Sequence, residues 1–390
     1  MLALVLAGCW DREEPDEIGI VSMAAFDVEE DGEQFEVGVQ VANPLGAGGE
    51  EVGVGVEKEH IWVVDATGQT VYEAVQNLEI LSTRKLDWSH VEVMLLSEEL
   101  ARRGIRPVLD YLDRERQARL ITRPLVVEGD LRKLLEMEFP LEVLGGDALS
   151  KHLLHVQEVR ATVSEVDSTR LLFHHLSLPG REVLLPLGGV ELEEEESQQE
   201  EEEGGMETGT VSLAGGAVFY RDRLVGFMND RQISGYLWAT DNLERASIVL
   251  VCPCCEEEKV TVEVFKAESE KQIAAFTAGE PSRFSLYVEA DSRIQDFACP
   301  ELLLEEEFFS EINRRTAEVI RDEIKESLDK ARELESDVFG LGNLVYRKEP
   351  RIWNDMEKDW VEIFSEVKVE VEVEVTTRRH GQVTDPVKIN

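Results

Sequence analysis

The sequence predicts a multi-domain α+β protein in which mixed sheets carry packed helices and a long C-terminal helix lies against an antiparallel sheet. Three observations lead to this prediction. Strand-like and helix-like segments alternate over residues 18–185, an amphipathic segment covers residues 301–334, and valine alternates with charged residues from Val367 to Val375. A period of two is typical of a half-buried strand, whereas an apolar stripe every three to four residues is typical of a helix.

The N-terminal region begins with strands. Apolar side chains alternate with small or polar ones at residues 18–21, 35–41, 52–56 and 61–64. Residues 70–81 then place their apolar side chains on one stripe, which predicts an amphipathic helix. These segments therefore predict several strands followed by a helix that covers them.

The next segments combine strands with capped helices. Residues 91–96 and 120–127 are compact apolar strands. Ser97, followed by two glutamates, is a typical helix N-cap, and Asp130 has the same role before a shorter helix. Pro107 is expected to kink or split the first of these helices. Strands that alternate with helices favour parallel pairing through right-handed crossovers.

A run of glutamates separates two halves of the chain. Residues 191–203 contain nine glutamates, and two glycines follow. Like charges repel, so this segment is predicted to be a loop or an inter-domain linker. A calcium site is a weaker alternative, because glutamates without fixed geometry bind hard cations poorly. The predicted divisions are a signal-peptide remnant at 1–8, an N-terminal region at 9–190 that can split into two lobes near residue 125, the acidic segment at 191–209, and a C-terminal domain at 210–390.

The C-terminal half is predicted to place a helix across a sheet. A hairpin over residues 211–228 comes first, and further strands are predicted at residues 246–251, 260–267 and 284–289. The long helix presents one apolar face, formed by Phe309, Ile312, Ile320, Ile324, Leu328 and Ala331. The valines of the last strand would aggregate if they were exposed, so we expect them to pack against that helix.

The first residues resemble the processing site of a lipoprotein. Leu6, Ala7 and Gly8 precede Cys9, and a charged stretch follows. In this lipobox the small residues admit a signal peptidase, and the Cys9 thiol is predicted to receive a diacylglyceryl group. A short apolar strand that happens to end in cysteine is the alternative. Eight residues without a lysine or arginine are short for a signal, so we expect further signal sequence upstream.

The composition is strongly acidic. The 390 residues include 82 acidic and 40 basic side chains, which gives a formal net charge of −42. This charge argues against nucleic acid as a partner, because phosphates need a basic surface. The same charge disfavours contact between the protein surface and anionic lipid, which leaves the acyl chains on Cys9 as the main predicted membrane contact.

No catalytic residue, cofactor-binding residue or metal ligand is predicted. The sequence lacks the nucleophile elbow, the phosphate-binding loops and the zinc-protease motif. Four histidines could share a metal, but no acidic ligand stands at a diagnostic spacing, so no metal and no cofactor are expected. The four histidines are His152, His155, His174 and His175. Trp238, Trp353 and Trp360 are expected in the core or in an interface.

Four further cysteines are open to two interpretations. Cys252, Cys254 and Cys255 are clustered, and Cys299 stands apart. A disulfide from the cluster to Cys299 is compatible with an exported protein. Otherwise these cysteines are small buried or loop residues.

Several stretches resemble the Ger(x)C family, the lipoprotein C subunits of spore nutrient germinant receptors. No single stretch is decisive, but their order behind a lipobox is specific. The clearest is Asp337–Gly342 with the tryptophans that follow it. The matching stretches are Cys9–Arg12, Val39–Pro44, Ser89–Val93, Ser97–Ala101, Gly216–Phe219, Leu224–Gly226, Gly235–Trp238, Asp337–Gly342, Tyr346–Lys348, Pro350, Trp353, Trp360, Phe364 and Arg378-Arg379.

The resemblance implies a function. It implies a lipid-anchored, non-enzymatic receptor subunit on the outer face of the spore inner membrane, required for spore germination. Its partners would be a multi-spanning A-type subunit and a transporter-like B-type subunit. The main alternative is a lipoprotein that captures a small nutrient in a pocket, and an exported hydrolase using acidic residues is a third.

Overall fold

The computed structural model describes most of the chain. The described residues are 17–29, 32–42, 61–164, 166–192, 209–255, 257–275, 282–297 and 306–378. In this part of the chain the strands form two sheets, one of nine strands and one of four, with helices packed on both. The predicted α+β class with mixed sheets is therefore confirmed.

The first sheet is mixed. Its strands are β1 (Ile18–Val28), β2 (Phe35–Ala42), β3 (Ile61–Gly68), β4 (Lys85–Asp87), β5 (Val93–Ser97), β6 (Arg123–Glu128), β7 (Leu184–Leu192), β8 (Gly209–Tyr220) and β9 (Arg223–Met228). The order is β3-β2-β1-β5-β6-β7-β8-β9, and the short β4 also pairs with β1. Strands β1, β5, β6 and β7 are parallel neighbours, as predicted, and the strands at both ends of the order pair antiparallel.

Helices cover both faces of this sheet. They are α1 (Val71–Leu81), α2 (Glu98–Arg103), α3 (Arg106–Arg114), α4 (Leu131–Glu136), α5 (Gly145–Val159) and α6 (Thr169–Ser177). The apolar residues of α1–α3 and α6 join one core cluster, and those of α4 and α5 join a second on the opposite face.

The predicted caps are confirmed. Ser97 Oγ accepts the Leu100 N–H at 3.0 Å, and Asp130 Oδ1 accepts the Arg132 N–H at 2.9 Å. The predicted split between helices is also confirmed. Pro107 lies in the first turn of α3, while α2 ends at Arg103 and is followed by the C-cap residue Gly104, whose φ of 127° is readily adopted by glycine.

The second sheet carries the C-terminal helices. Its strands are β10 (Ala246–Val251), β11 (Lys259–Ala275), β12 (Arg283–Phe297) and β13 (Lys368–Thr377). The helices of this half are α7 (Asp230–Thr240), α8 (Glu306–Glu333), α9 (Leu341–Lys348), α10 (Pro350–Met356) and α11 (Trp360–Glu366). The order is β10-β11-β12-β13, and the first three strands pair antiparallel as predicted. The last strand differs, because β13 runs parallel to β12 after a crossover through α8–α11.

The long helix packs as its apolar stripe predicts. Ile312, Ile320, Ile324, Leu328 and Ala331 are buried in α8. Phe309 is only half-buried, and the neighbouring Phe308 is buried in its place. The alternate valines of β13 are half-buried against the same core, and Val375 is fully buried.

The acidic segment connects two neighbouring strands of the first sheet. Glu191 pairs with Thr210, and Leu192 pairs with Gly209, so β7 and β8 are antiparallel partners on either side of it. The predicted hairpin is confirmed as β8–β9, which completes the first sheet rather than starting the second. The domain boundaries themselves stay a prediction. The strand predicted at residues 52–56 lies outside the described residues.

Candidate functional site

The predicted lipidation site lies outside the described residues. Leu6, Ala7, Gly8 and Cys9 therefore stay a prediction. The described chain begins at Glu17, whose carbonyl accepts a hydrogen bond from the Lys85 N–H at 3.1 Å. Strand β1, in the middle of the first sheet, begins at the next residue.

The histidines considered for a metal lie on two helices. His152 and His155 are on α5, and His174 and His175 are adjacent on α6. Burial lowers the pKa of His175 to about 3, and the neighbouring Arg181 acts in the same direction. Burial also lowers the pKa of His152, with a further contribution from His155. Among the described residues, no three His, Cys, Asp or Glu side chains form a group that could hold a metal ion.

The cysteine cluster follows β10. Cys252 is buried, Cys254 is exposed, and their sulfur atoms are 3.8 Å apart. The loop is closed by a hydrogen bond from the Cys252 N–H to the Glu258 carbonyl at 2.9 Å. Cys299 lies outside the described residues, so a disulfide to it stays a prediction.

The three tryptophans lie in the core, as predicted. Trp238, Trp353 and Trp360 are all buried in one cluster with the second sheet. The indole N–H of Trp238 donates to Glu323 at 2.9 Å, and that of Trp360 donates to Asp337 at 3.1 Å. Both polar indole atoms are thus satisfied inside the core, as buried N–H groups require.

A buried polar centre surrounds Asp337. This carboxylate is buried and accepts three hydrogen bonds: from the Leu341 N–H at 3.0 Å, the Gly342 N–H at 2.7 Å and the Trp360 indole at 3.1 Å. Burial raises the pKa of Asp337 above its ordinary value, although the three donors and the charge of Lys271 oppose that rise. The Asp337 carboxylate therefore holds the start of α9 and the start of α11 together.

Glycines allow the backbone to close around this centre. Gly340 adopts a φ of 67° where α9 begins, in the left-handed region that disfavours other residues. A Cβ on Gly342 would lie 2.6 Å from the Trp360 indole, and a Cβ on Gly180 would lie 2.5 Å from Trp353. The spacing of aspartate and glycines in Asp337–Gly342 therefore has a steric reason.

The same centre joins the two halves of the chain. The Glu182 N–H donates to the Asp337 carbonyl at 3.0 Å, and the Asn343 N–H donates to the Gly180 carbonyl at 2.8 Å. The Ser336 hydroxyl donates to the Phe219 carbonyl at 2.6 Å. Residues just before β7 and residues of β8 are thus tied to the C-terminal helices. We call this set the Asp337 joint: Gly180, Glu182, Phe219, Ser336, Asp337, Gly342, Asn343 and Trp360.

The joint contains a second carboxylate, that of the half-buried Glu182. Burial raises the pKa of Glu182 to about 7, and the nearby Asp337 adds to that rise. The Arg221 N–H donates a hydrogen bond to the Glu182 carboxylate at 2.5 Å, and this bond opposes the rise in pKa. Near neutral pH, Glu182 therefore titrates, which makes the joint sensitive to protonation.

An open groove of about 420 Å³ lies between α1 and α3. The size suits a small ligand. However, Asp110 and Arg114 in its wall form an ion pair at 3.0 Å, so their charges satisfy each other. The groove therefore offers apolar walls from Phe35, Tyr72 and Pro107 more than converging polar groups.

No helix within the described ranges is both long and apolar enough to cross a bilayer.

Comparison with known proteins identifies the family. A model described as the spore germination protein N-terminal domain matches residues 11–189, and a model described as spore germination B3/GerAC like, C-terminal, matches residues 214–381. The chain belongs to the Ger(x)C family. Ger(x)C membership thus extends over both sheets and the Asp337 joint.

Relatives of the Ger(x)C chain match along nearly their whole length. YfkR of Bacillus subtilis (strain 168), which carries a spore germination name, is 24% identical over 98% of this chain and 95% of its own. Spore germination protein KC of the same strain is 22% identical over 99% of this chain and 95% of its own length. Spore germination protein GerQC of Bacillus cereus is 22% identical over 98% of this chain and 97% of its own length.

A solved structure shows the same fold. The crystal structure of the GerBC protein aligns with a TM-score of 0.57 at 17% identity, over 91% of this chain and 97% of that one. At this identity the likeness supports the Ger(x)C fold alone. The sequence had singled out Asp337–Gly342 only as a resemblance; the role of Asp337 was missed, because two of its contacts, Trp360 and Glu182, are distant in the sequence.

Proposed function

We propose that this chain is the lipid-anchored, non-enzymatic C subunit of a nutrient germinant receptor, needed for spore germination. The observation that carries the proposal is the succession of both family models along the chain, directly behind a lipobox. The diacylglyceryl group on Cys9 would hold the protein on the outer face of the spore inner membrane. Two acyl chains are enough for stable anchoring.

The proposed partners are the A-type and B-type membrane subunits of the receptor. An anchor confines the search for such partners to the plane of the membrane, which raises their effective concentration. The folded body would then contribute a protein-binding surface. The names of the relatives, which describe spore germination proteins, support this assignment.

Dipicolinate release from spores tests the function. Spores that lack the gene should fail to release dipicolinate with nutrients and should respond normally to a trigger that bypasses receptors. A normal response to every nutrient would contradict a required receptor role, and failure with both triggers would indicate a general defect of the spore membrane.

The anchor is tested separately. Cys9→Ala should leave the protein folded, release it from the membrane fraction and weaken the nutrient response. Cys254→Ala, which removes an exposed cysteine elsewhere, is the matched control and should change neither. A Cys9→Ala protein that stays with the membrane and supports normal germination would disprove the anchor.

The groove between α1 and α3 favours one alternative, a lipoprotein that captures a small nutrient. A bound nutrient would stabilise the folded chain in proportion to its concentration. A thermal-shift series with amino acids, sugars and nucleosides distinguishes the two proposals: a saturable rise that Tyr72→Ala removes would support capture.

A further inference from the structure

One edge of the first sheet lies next to the start of the described chain. Parallel strands β1, β5 and β6 all begin there, because Met23 pairs with Val93 and Val93 pairs with Arg123. Antiparallel β2 ends there, since Ala42 pairs with Ile20. We call this end of the sheet, with the segments that lead into its strands, the anchor edge.

Hydrogen bonds from backbone N–H groups run along the anchor edge. The Lys85 N–H donates to the Glu17 carbonyl at 3.1 Å, and the Trp88 N–H donates to the side-chain Oε1 of Gln117 at 3.1 Å. The Arg170 N–H donates to the Leu120 carbonyl at 2.8 Å. The first described residue, the segments before β5 and β6, and the start of α6 are therefore held together at this edge. Helix α1 ends at Leu81, four residues before Lys85.

Four large apolar side chains are exposed at the anchor edge. Ile80 and Leu81, at the end of α1, are 79% and 55% exposed, and Leu120 and Ile121, before β6, are 52% and 50% exposed. Single exposed apolar residues are ordinary on soluble proteins. Two adjacent pairs on segments that meet at one edge are a more specific feature, typical of an interaction surface.

The segment that leads into β6 is basic in a very acidic chain, although Glu17 and Glu92 lie at the same edge. Residues 114–123 contain four arginines and one glutamate, whereas the whole chain has 82 acidic and 40 basic residues. Arg116, Arg119 and Arg170 are exposed, and none of them forms an ion pair with a carboxylate in the part of the chain that the structure describes. Their charges are therefore available to an anionic partner.

The predicted acylated cysteine lies close to this edge along the chain. Seven residues separate Cys9 from Glu17. Even fully extended, eight peptide steps span at most about 28 Å. A lipid on Cys9 would therefore keep the anchor edge near the membrane.

We infer that the anchor edge rests on the anionic surface of the membrane. Its exposed arginines would bind lipid phosphates, and Ile80, Leu81, Leu120 and Ile121 would enter the interfacial layer. The inference rests on the proposed lipid anchor for its geometry. It also modifies the expectation from net charge, because the arginines concentrated at one edge can attract anionic lipid although the whole chain is acidic.

Vesicle binding by the unacylated full-length chain tests this contact. The Cys9→Ala protein is mixed at low salt with vesicles of phosphatidylglycerol and phosphatidylcholine, or of phosphatidylcholine alone, and sedimented. We expect binding to the anionic vesicles only, and weaker binding as salt rises. In the same background, Arg116→Glu/Arg119→Glu should weaken vesicle binding at least about tenfold, because each basic residue close to an anionic membrane surface adds to the binding free energy. Leu120→Ser/Ile121→Ser should also weaken it.

A matched charge reversal controls for net charge. Arg106→Glu/Lys133→Glu changes the charge equally, but it lies towards the opposite end of the sheet, at the first turns of α3 and α4. This control should bind anionic vesicles as the parent does, and circular dichroism should show that all variants are folded.

The possible outcomes separate this inference from the proposed function. Absence of vesicle binding, or equal binding by edge and control variants, would overturn the inference. Edge variants that bind vesicles normally but no longer co-purify with the membrane subunits would make the edge a protein interface, which also overturns it. Mass spectrometry of the mature wild-type N-terminus tests acylation of Cys9 independently, so its failure would not be confused with failure at the edge.

Discussion

At the scale of single residues, the buried Asp337 explains how the two halves of the chain are joined. Its carboxylate accepts hydrogen bonds from three donors, two in the first turn of α9 and one in α11, while its backbone carbonyl accepts the N–H of Glu182 ahead of β7. Buried donors that lose their acceptor cost free energy. The stability of this region therefore depends strongly on the Asp337 side chain.

Replacing that side chain should be costly. In Asp337→Ala, two backbone N–H groups and an indole N–H lose their acceptor inside the core, so the free energy of unfolding should fall by roughly 3 kcal/mol or more. Urea denaturation measures the loss. Asp110→Ala removes an exposed aspartate and is the matched control, with no measurable change expected. Equal stability of the two variants would mean that the Asp337 carboxylate contributes no net stability.

Protonation of Glu182 should make stability depend on pH. Because its pKa in the folded chain is about 7 against an ordinary 4.5, the folded state binds the proton more tightly than the unfolded state. The stability that this tighter proton binding contributes is therefore fully present below about pH 4.5 and is lost as the pH rises through about 7. Glu182→Gln stays neutral, so its stability relative to the wild type should increase from pH 5 to pH 8 by on the order of 2–3 kcal/mol.

Urea denaturation at four pH values between 5 and 8 checks this. Glu366→Gln, at an exposed position, should keep a constant difference from the wild type over the same range. If Glu182→Gln also kept a constant difference, Glu182 would not titrate in this range.

At the scale of elements, close helix packing depends on a glycine. Helices α7 and α8 pack against each other, and a Cβ on Gly235 would lie 2.0 Å from the Glu323 carbonyl oxygen. No side chain can occupy that space unless the helices separate. The helix-breaking tendency of glycine is thus offset by the approach that it permits.

Gly235→Ala should therefore destabilise the protein although alanine favours helices. We expect a loss of roughly 2 kcal/mol or more, because overpacking forces the backbone to move. Gly189→Ala is the control, since a Cβ there would meet nothing within 4 Å. Thermal and urea denaturation of both variants measure the difference. A Gly235→Ala protein as stable as the wild type would show that the α7–α8 contact is loose.

The elements also show what could be predicted from the sequence. Local signals were sufficient for the caps at Ser97 and Asp130 and for the apolar face of α8. They were insufficient for α7, where Gly235 weakens the helical pattern, and for the direction of β13, which depends on its crossover. The contacts of Asp337 with Trp360 and Glu182 were also hidden, because a local pattern does not reveal which distant residues meet.

At the scale of the whole molecule, the two sheets share one apolar core. Leu184, Val218 and Met228 of the first sheet belong to the same cluster as Phe284 of the second sheet and Ile324 of α8. Strands β7 and β8, which stand on opposite sides of the acidic segment, are antiparallel partners. The sequence predicted either a loop or a linker between domains at that segment, and a shared core favours halves that stay together.

A cut in the acidic segment should therefore leave the molecule assembled. A protease site inserted between residues 198 and 199 allows cleavage of the purified chain. Because the two pieces share the β7–β8 ladder, the core and the Asp337 joint, they should co-elute in size-exclusion chromatography and separate only in denaturant. In the matched Asp337→Ala chain, the cleaved pieces should separate at a lower urea concentration. Pieces that separate in native buffer would instead support independent domains at 9–190 and 210–390.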